Sequence, residues 1–141
     1  MPFAAAYLAA LLAMVAADTV MLSAVIRPLF EREMPGLLAE NPDWAAALVF
    51  YLVYPAGVRH FAAMPAWRRA EPARAALGAA AREGALLGGF AYATFELTGM
   101  AVIAGWTWTV VVADIAWGAL LTAVVAAAGF AGARAAGGPP R

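Results

Sequence analysis

The sequence contains no cysteine and no lysine, and its single histidine is His60. Without cysteine, the chain can form no disulfide, has no thiolate nucleophile and cannot bind a metal through sulfur. One histidine alone supplies too few ligands for a metal or haem site. We therefore predict no metal and no cofactor, and we expect His60 to be an interfacial side chain rather than a ligand.

Charged residues are also scarce. Only 13% of the residues are charged, the formal net charge is zero, and all nine basic residues are arginines. A neutral chain gives no indication of a nucleic-acid partner or an acidic partner. The GxSxG, HExxH, P-loop and dinucleotide-binding motifs are missing as well, so the sequence predicts no catalytic residue and no enzyme.

Apolar residues make up 65% of the chain, whereas about half is usual in soluble domains. They form four long blocks, and roughly 20 apolar residues can span a bilayer as a helix. We predict an all-α polytopic membrane protein, a four-transmembrane-helix bundle that forms one domain over residues 1–132. Its helices are expected at about 3–26, 44–64, 75–99 and 107–131, and residues 133–141 are expected to form a disordered cytoplasmic tail. The first block is longer than a signal-peptide core and no basic residue precedes it, so we expect it to be retained.

The distribution of arginines predicts the orientation, because basic residues stay on the cytoplasmic side. Segment 27–43 contains only two arginines, Arg27 and Arg32, and is expected outside, as an amphipathic turn along the interface or as an ordinary loop. Both termini are expected to be cytoplasmic. The other seven arginines would share that side: Arg59, Arg68, Arg69, Arg74, Arg82, Arg134 and Arg141. Tryptophans are expected at the interfaces, namely Trp44, Trp106 and Trp108.

Three carboxylic acids interrupt the apolar blocks: Asp18, Glu96 and Asp114. A charged side chain within hydrocarbon costs a few kcal/mol, so such residues usually have a role. At about 1.5 Å per residue, all three acids lie at most about 12–13 Å from the outer ends of their helices. We predict that they converge in the outer half of the bundle, where three carboxylates in a dry site cannot all be ionised.

Small and aromatic residues surround two of the acids. Tyr92 and Gly88 share the face of the third helix that carries its acid, and Trp117 and Gly118 share that of the fourth. Small residues let membrane helices pack closely, so we expect both glycines at helix–helix contacts. The candidate residues for binding a ligand or a proton are Asp18, Glu96, Asp114, Tyr92 and Trp117.

The acids could be neutral hydrogen-bonding groups that hold helices together, or they could form a site for a proton, a cation or a ligand. Arg27 could reach down to them as a counter-ion. Tyr51 and Tyr54, just before Pro55, could line a cavity or serve as packing residues. The other hydrogen-bond partners expected for the acids are Tyr92, Thr94, Thr98 and backbone carbonyls.

Three segments carry a family resemblance: NPDWAAALVFYLVYPAG, YATFELTGMA and VVADIAWGALLTAV. They resemble a family of small bacterial inner-membrane proteins, domain of unknown function 2177, over nearly the whole chain. The family pattern has an acid in helices one, three and four, and Asp18, Glu96 and Asp114 occupy those places. Glutamate stands at 96 where aspartate is usual, which argues against a strict geometric role such as metal ligation. The resemblance implies a fold and a bacterial inner-membrane location, but no activity.

Two functions fit these observations. The first is a binding or transport module for a small apolar or cationic ligand or a proton, with the acids as its polar anchor. The second is a non-catalytic accessory subunit that partners a lipid-modifying or redox enzyme, with purely structural acids. The expected partners are the lipid bilayer, a small-molecule or lipid ligand, and a second copy or another membrane protein beside the thin bundle. A binding site requires a cavity that reaches the acids, whereas structural acids should be sealed.

Overall fold

The computed structural model of the protein describes residues 1–69 and 71–138. Four long helices make up most of this part: α1 (Pro2–Glu33), α2 (Trp44–Arg68), α3 (Ala73–Val102) and α4 (Trp108–Ala136). Each is long and apolar enough to cross a membrane, and the described residues include no strand. The predicted all-α membrane fold with four spanning helices is therefore confirmed.

Two helices continue through prolines without ending. In α1, a π-helical turn at Leu22–Ile26 comes directly before Arg27 and Pro28, and the Arg27 N–H donates to the carbonyl five residues back. In α2, a second π-helical turn at Arg59–Ala63 stands in the same relation to Pro65. Proline has no N–H and its ring crowds the preceding turn, so a locally wider turn lets the helix continue.

All four helices extend beyond the ends that the sequence suggested. Helix α1 runs to Glu33 instead of about 26, and α2 runs to Arg68 instead of about 64. Helix α3 passes 99 and ends at Val102, and α4 ends at Ala136 rather than about 131. Residues 133–136 are helical rather than part of a disordered tail, and Ala133 among them is buried in the core. The rest of that tail prediction, from residue 139 onward, lies outside the described residues.

Helix α4 occupies the centre of the bundle. It packs along both α1 and α3, whereas α2 contacts α3 mainly through its C-terminal part, residues 59–68. The N-terminal part of α2 lies against α1 instead. This end of the bundle is therefore less tightly closed than the other.

Glycines allow the closest helix contacts. A Cβ atom at Gly88 would overlap the Gly118 carbonyl on α4, and one at Gly118 would overlap the ring of Tyr92 on α3. Between α1 and α4, a Cβ at Gly132 would lie 2.6 Å from the carbonyl oxygen of Ala5. Such small residues let membrane helices gain van der Waals contact along their backbones. The predicted placement of Gly88 and Gly118 at helix contacts is confirmed.

The bundle has two halves of different character. We call residues 2–14, 55–68, 73–87 and 119–136 the closed half, because its buried side chains form apolar clusters. We call residues 15–33, 44–54, 88–102 and 108–118 the open half. Among the described residues, four buried side chains are polar or charged. Asp18, Glu96 and Asp114 lie in the open half, and Thr122 lies one turn inside the closed half.

Two connections cover the end of the open half. Gly36 (φ +82°) and Gly105 (φ +86°) adopt left-handed backbone conformations that favour glycine. The connections meet where Leu37 lies beside Gly105, and Phe30, near the end of α1, packs edge-on against Trp106 with ring centres 6.3 Å apart. Helix α2 then starts at a capped end, since the Asp43 carboxylate accepts from two backbone N–H groups of the first turn.

Candidate functional site: a cavity lined by carboxyl groups

A cavity of about 710 Å³ lies in the open half between α1, α2 and the connection that joins them. This volume is within the range of small-molecule sites, which is roughly 300–1,000 Å³. Its walls are apolar, formed by Leu22, Ile26, Phe30, Leu38 and Phe50. Its polar residues include Asp18, Tyr51, Tyr92, Asp114 and Trp117. Four of the five candidate residues therefore line the cavity, and Glu96 does not.

Asp18 is held at the cavity by donors from two other helices. Its side chain is almost completely buried. The Tyr51 hydroxyl on α2 donates to Oδ2 at 2.8 Å, and the Trp117 indole N–H on α4 donates to Oδ1 at 3.3 Å. Both oxygens of Asp18 therefore act as hydrogen-bond acceptors.

Glu96 and Asp114 form a neighbouring pair. Glu96 has no exposed surface, and its side chain is close enough to interact with the Asp114 carboxyl group. A direct hydrogen bond between two carboxyl groups requires at least one proton, because two ionised carboxylates can only accept. Oε1 of Glu96 is fully enclosed and has no hydrogen-bond partner among the described residues. Asp18 also lies near Asp114, and both line the cavity.

Trp106 binds the second oxygen of Glu96. Its indole N–H donates to Oε2 at 2.8 Å. The ring lies over α3 at Gly99, where a Cβ atom would be 3.2 Å from the indole. Because Gly99 has no side chain, the indole has room to pack against α3. Gly99 therefore has a role in packing and does not end the helix. The sequence analysis assigned Trp106 to the membrane interface and missed its contact with Glu96.

The other expected partners of the acids behave differently. Tyr92 lines the cavity near Asp18 and Asp114, and its hydroxyl forms no hydrogen bond within residues 1–69 and 71–138. The prediction that Thr94 and Thr98 bind the acids is wrong. Each threonine donates to a backbone carbonyl in the preceding turn of α3, an arrangement that helical threonines commonly adopt.

Arg27 does not reach the acids, contrary to expectation. Its Nε lies 2.8 Å from a carboxylate oxygen of Glu31, one turn further along α1, and its side chain is 59% exposed. This exposed ion pair keeps the guanidinium at the cavity rim. In the described part of the chain, no arginine or histidine forms an ion pair with Asp18, Glu96 or Asp114.

The two tyrosines before Pro55 differ in role. Tyr51 lines the cavity, whereas Tyr54 is hydrogen-bonded to Thr122 on α4 at 2.8 Å. The Thr122 hydroxyl donates to the Gly118 carbonyl at 2.7 Å, so Tyr54 is the donor in the first bond. The Tyr51 hydroxyl therefore belongs to the cavity, whereas the Tyr54 hydroxyl joins α2 to α4 through Thr122.

His60 lies apart from these groups. It is exposed on α2 and packs edge-on against Phe61, with ring centres 4.8 Å apart. Within the described ranges, no group of three or more histidine, aspartate or glutamate side chains is arranged to hold a metal ion. The chemistry available in the cavity is therefore hydrogen bonding, charge and apolar contact.

The comparison with known families gives a match over most of the chain. Residues 3–131 match the family described as "Predicted membrane protein (DUF2177)", which confirms the resemblance seen in the sequence. No curated protein and no solved structure matches the chain. The matched range includes all three acids and every residue that lines the cavity.

Proposed function

We propose that this chain, which belongs to the DUF2177 family of membrane proteins, is a binding module for a small molecule with an apolar body and one polar end. One observation carries the proposal. A cavity of about 710 Å³ extends from the exposed rim near Arg27 to the buried carboxyl groups of Asp18 and Asp114.

The cavity offers two kinds of contact. Its apolar walls can bury the body of a ligand, which is the main source of affinity in such sites. Within the described residues, each oxygen of Asp18 accepts one hydrogen bond, so both retain acceptor capacity. The Tyr92 hydroxyl, which forms no hydrogen bond within the same residues, adds a group that can donate or accept. A ligand group that carries N–H or O–H donors suits this end of the cavity.

Binding is favoured over transport. A transporter must expose its site to both sides of the membrane, and its polar groups usually continue along the path. Here the buried clusters of the closed half consist of apolar residues, including Met14, Leu121 and Val125. Glu96, beside Asp114, has no exposed surface and does not line the cavity.

The alternative function, a non-catalytic accessory subunit beside a lipid-modifying or redox enzyme, requires acids that serve only to join helices. Glu96 suits this role, because it is sealed and bound by Trp106. Asp18 and Asp114 suit it less, because both line the cavity.

A variant that fills the cavity with a larger side chain tests the binding function. Ala47 lines the cavity, whereas its neighbour Ala46 lies on another face of α2, away from it. Native mass spectrometry of protein extracted with its lipids should show a bound molecule on the parent and on Ala46→Phe, but much less on Ala47→Phe. The proposal would fail if Ala47→Phe carried as much bound mass as the parent. It would also fail if the parent carried no bound molecule.

We also propose that the protein lies in the bacterial inner membrane with both termini in the cytoplasm, on the basis of the arginine asymmetry. The chain has no native cysteine, so introduced cysteines can be labelled without background. Ala39→Cys, in the exposed α1–α2 connection, should react with a membrane-impermeant maleimide on intact spheroplasts. Ala75→Cys, exposed at the other end of the bundle, should react only after the membrane is opened. The reverse pattern would refute this orientation.

A further inference from the structure

The cavity ends at carboxyl groups that no basic side chain of the described residues pairs with. Asp18 and Asp114 line it, and both oxygens of Asp18 accept hydrogen bonds from neutral donors. Arg27, at the rim, is paired with Glu31. Buried charges in proteins are normally paired, so a cationic ligand suits this end of the cavity.

Aromatic rings stand beside these acids. Phe50, Tyr51, Tyr92 and Trp117 all line the same cavity as Asp18. The face of an aromatic ring attracts cations, and several rings around a site are a recurrent way to bind quaternary ammonium groups. Trp117 and Tyr51 also direct their polar hydrogens at Asp18. An anion would meet the carboxylate unfavourably, and a neutral group would leave its charge unpaired.

We infer that the ligand is an amphiphilic cation, an ammonium group on an apolar body, whose charge lies between Asp18, Asp114 and the surrounding aromatic rings. This inference rests on the proposed binding function and adds the chemical class of the ligand. The apolar body would extend along Leu22, Ile26 and Phe50 toward the rim.

The NMR signals of the indole N–H groups report whether a ligand binds near Asp18. The chain has five tryptophans, and the indole N–H of Trp117 donates directly to Asp18. The indole of Trp67 donates to the Gly137 carbonyl at 3.3 Å in the closed half and serves as an internal control. ¹⁵N-labelled protein in dodecyl maltoside micelles is titrated with decylammonium and, separately, with decanol. We expect the Trp117 signal to move without the Trp67 signal, with a Kd about tenfold lower for the ammonium.

Charge-removing variants complete the test. Asp18→Asn keeps the side-chain size and removes the charge, so the preference for the ammonium should fall to about twofold or less. Asp114→Asn is the second variant if Asp18→Asn loses its dispersed indole signals. Equal affinity for both probes in the parent would overturn the inference and leave the binding function standing. A preference that survives in both variants would also overturn it. If neither probe moved Trp117 more than Trp67, the binding function itself would be refuted.

Discussion

The closed half and the open half of this bundle are stabilised in different ways. In the closed half, small residues such as Ala6, Ala63 and Gly132 bring helix backbones close together, and the buried clusters are apolar. In the open half, side-chain hydrogen bonds to Asp18 join α1 to α2 and α4, and Glu96 on α3 accepts one from Trp106 in the connection that follows. The same chain thus combines a tightly packed region with a region that contains polar groups and a cavity.

This difference indicates a division of labour. In lipid, apolar burial does not drive helices together, so close van der Waals packing must contribute much of the association. The closed half supplies that packing, which allows the open half to hold costly acids and a cavity. A hydrogen bond between membrane helices is worth only about 0.6 kcal/mol on average. The acids are therefore poor candidates for the main source of stability.

The largest expected effect is the loss of stability when a glycine is replaced by leucine, and it should differ between the two halves. A side chain at Gly132 would meet the backbone of Ala5 and the Cβ of Ala9 on α1, and neither can move aside. A side chain at Gly118 would meet the base of the Tyr92 ring, an overlap that a change of the Tyr92 χ1 rotamer toward the cavity would relieve without moving the backbone. Gly132→Leu should therefore lower the free energy of unfolding by about 3 kcal/mol or more, and Gly118→Leu by about 1–2 kcal/mol.

Chemical unfolding in mixed micelles measures both variants. Gly57→Leu is the matched control, because a Cβ atom there has no neighbour within 4 Å, and its stability should stay within about 0.5 kcal/mol of the parent. A larger loss for Gly118→Leu than for Gly132→Leu would contradict the assignment of rigid packing to the closed half.

The sequence predicted the features that depend on periodicity and hydropathy. Four apolar blocks indicated four helices, and the helical rise placed Asp18, Glu96 and Asp114 at similar depth. It could not predict the π-helical turns that carry α1 and α2 past Pro28 and Pro65, because proline usually ends or kinks a helix.

The partners of the acids were harder to predict, since they depend on side-chain direction across helices. Trp106 follows α3 in the sequence and has the position of an interfacial residue, yet its indole turns back to Glu96. Arg27 was the nearest cation to Asp18 along the chain, but Glu31 one turn away binds it first. The glycine at 99, on the same face as Glu96, was the one local signal that a bulky group packs there.

The last prediction concerns two indole N–H groups that donate to acids in different surroundings. Trp106 serves a carboxyl group with no exposed surface, whereas Trp117 serves Asp18, which lines the cavity and also binds Tyr51. Trp106→Phe leaves a sealed oxygen without a donor and should lower the free energy of unfolding by about 1–3 kcal/mol. Trp117→Phe should lower it by only about 0.5–1 kcal/mol, because water in the cavity can replace the lost donor. Trp44→Phe, at a side chain that is 75% exposed, controls for the smaller ring. Equal losses for Trp106→Phe and Trp117→Phe would show that the cavity is no wetter than the sealed pair, and the contrast between open and sealed acids would fail.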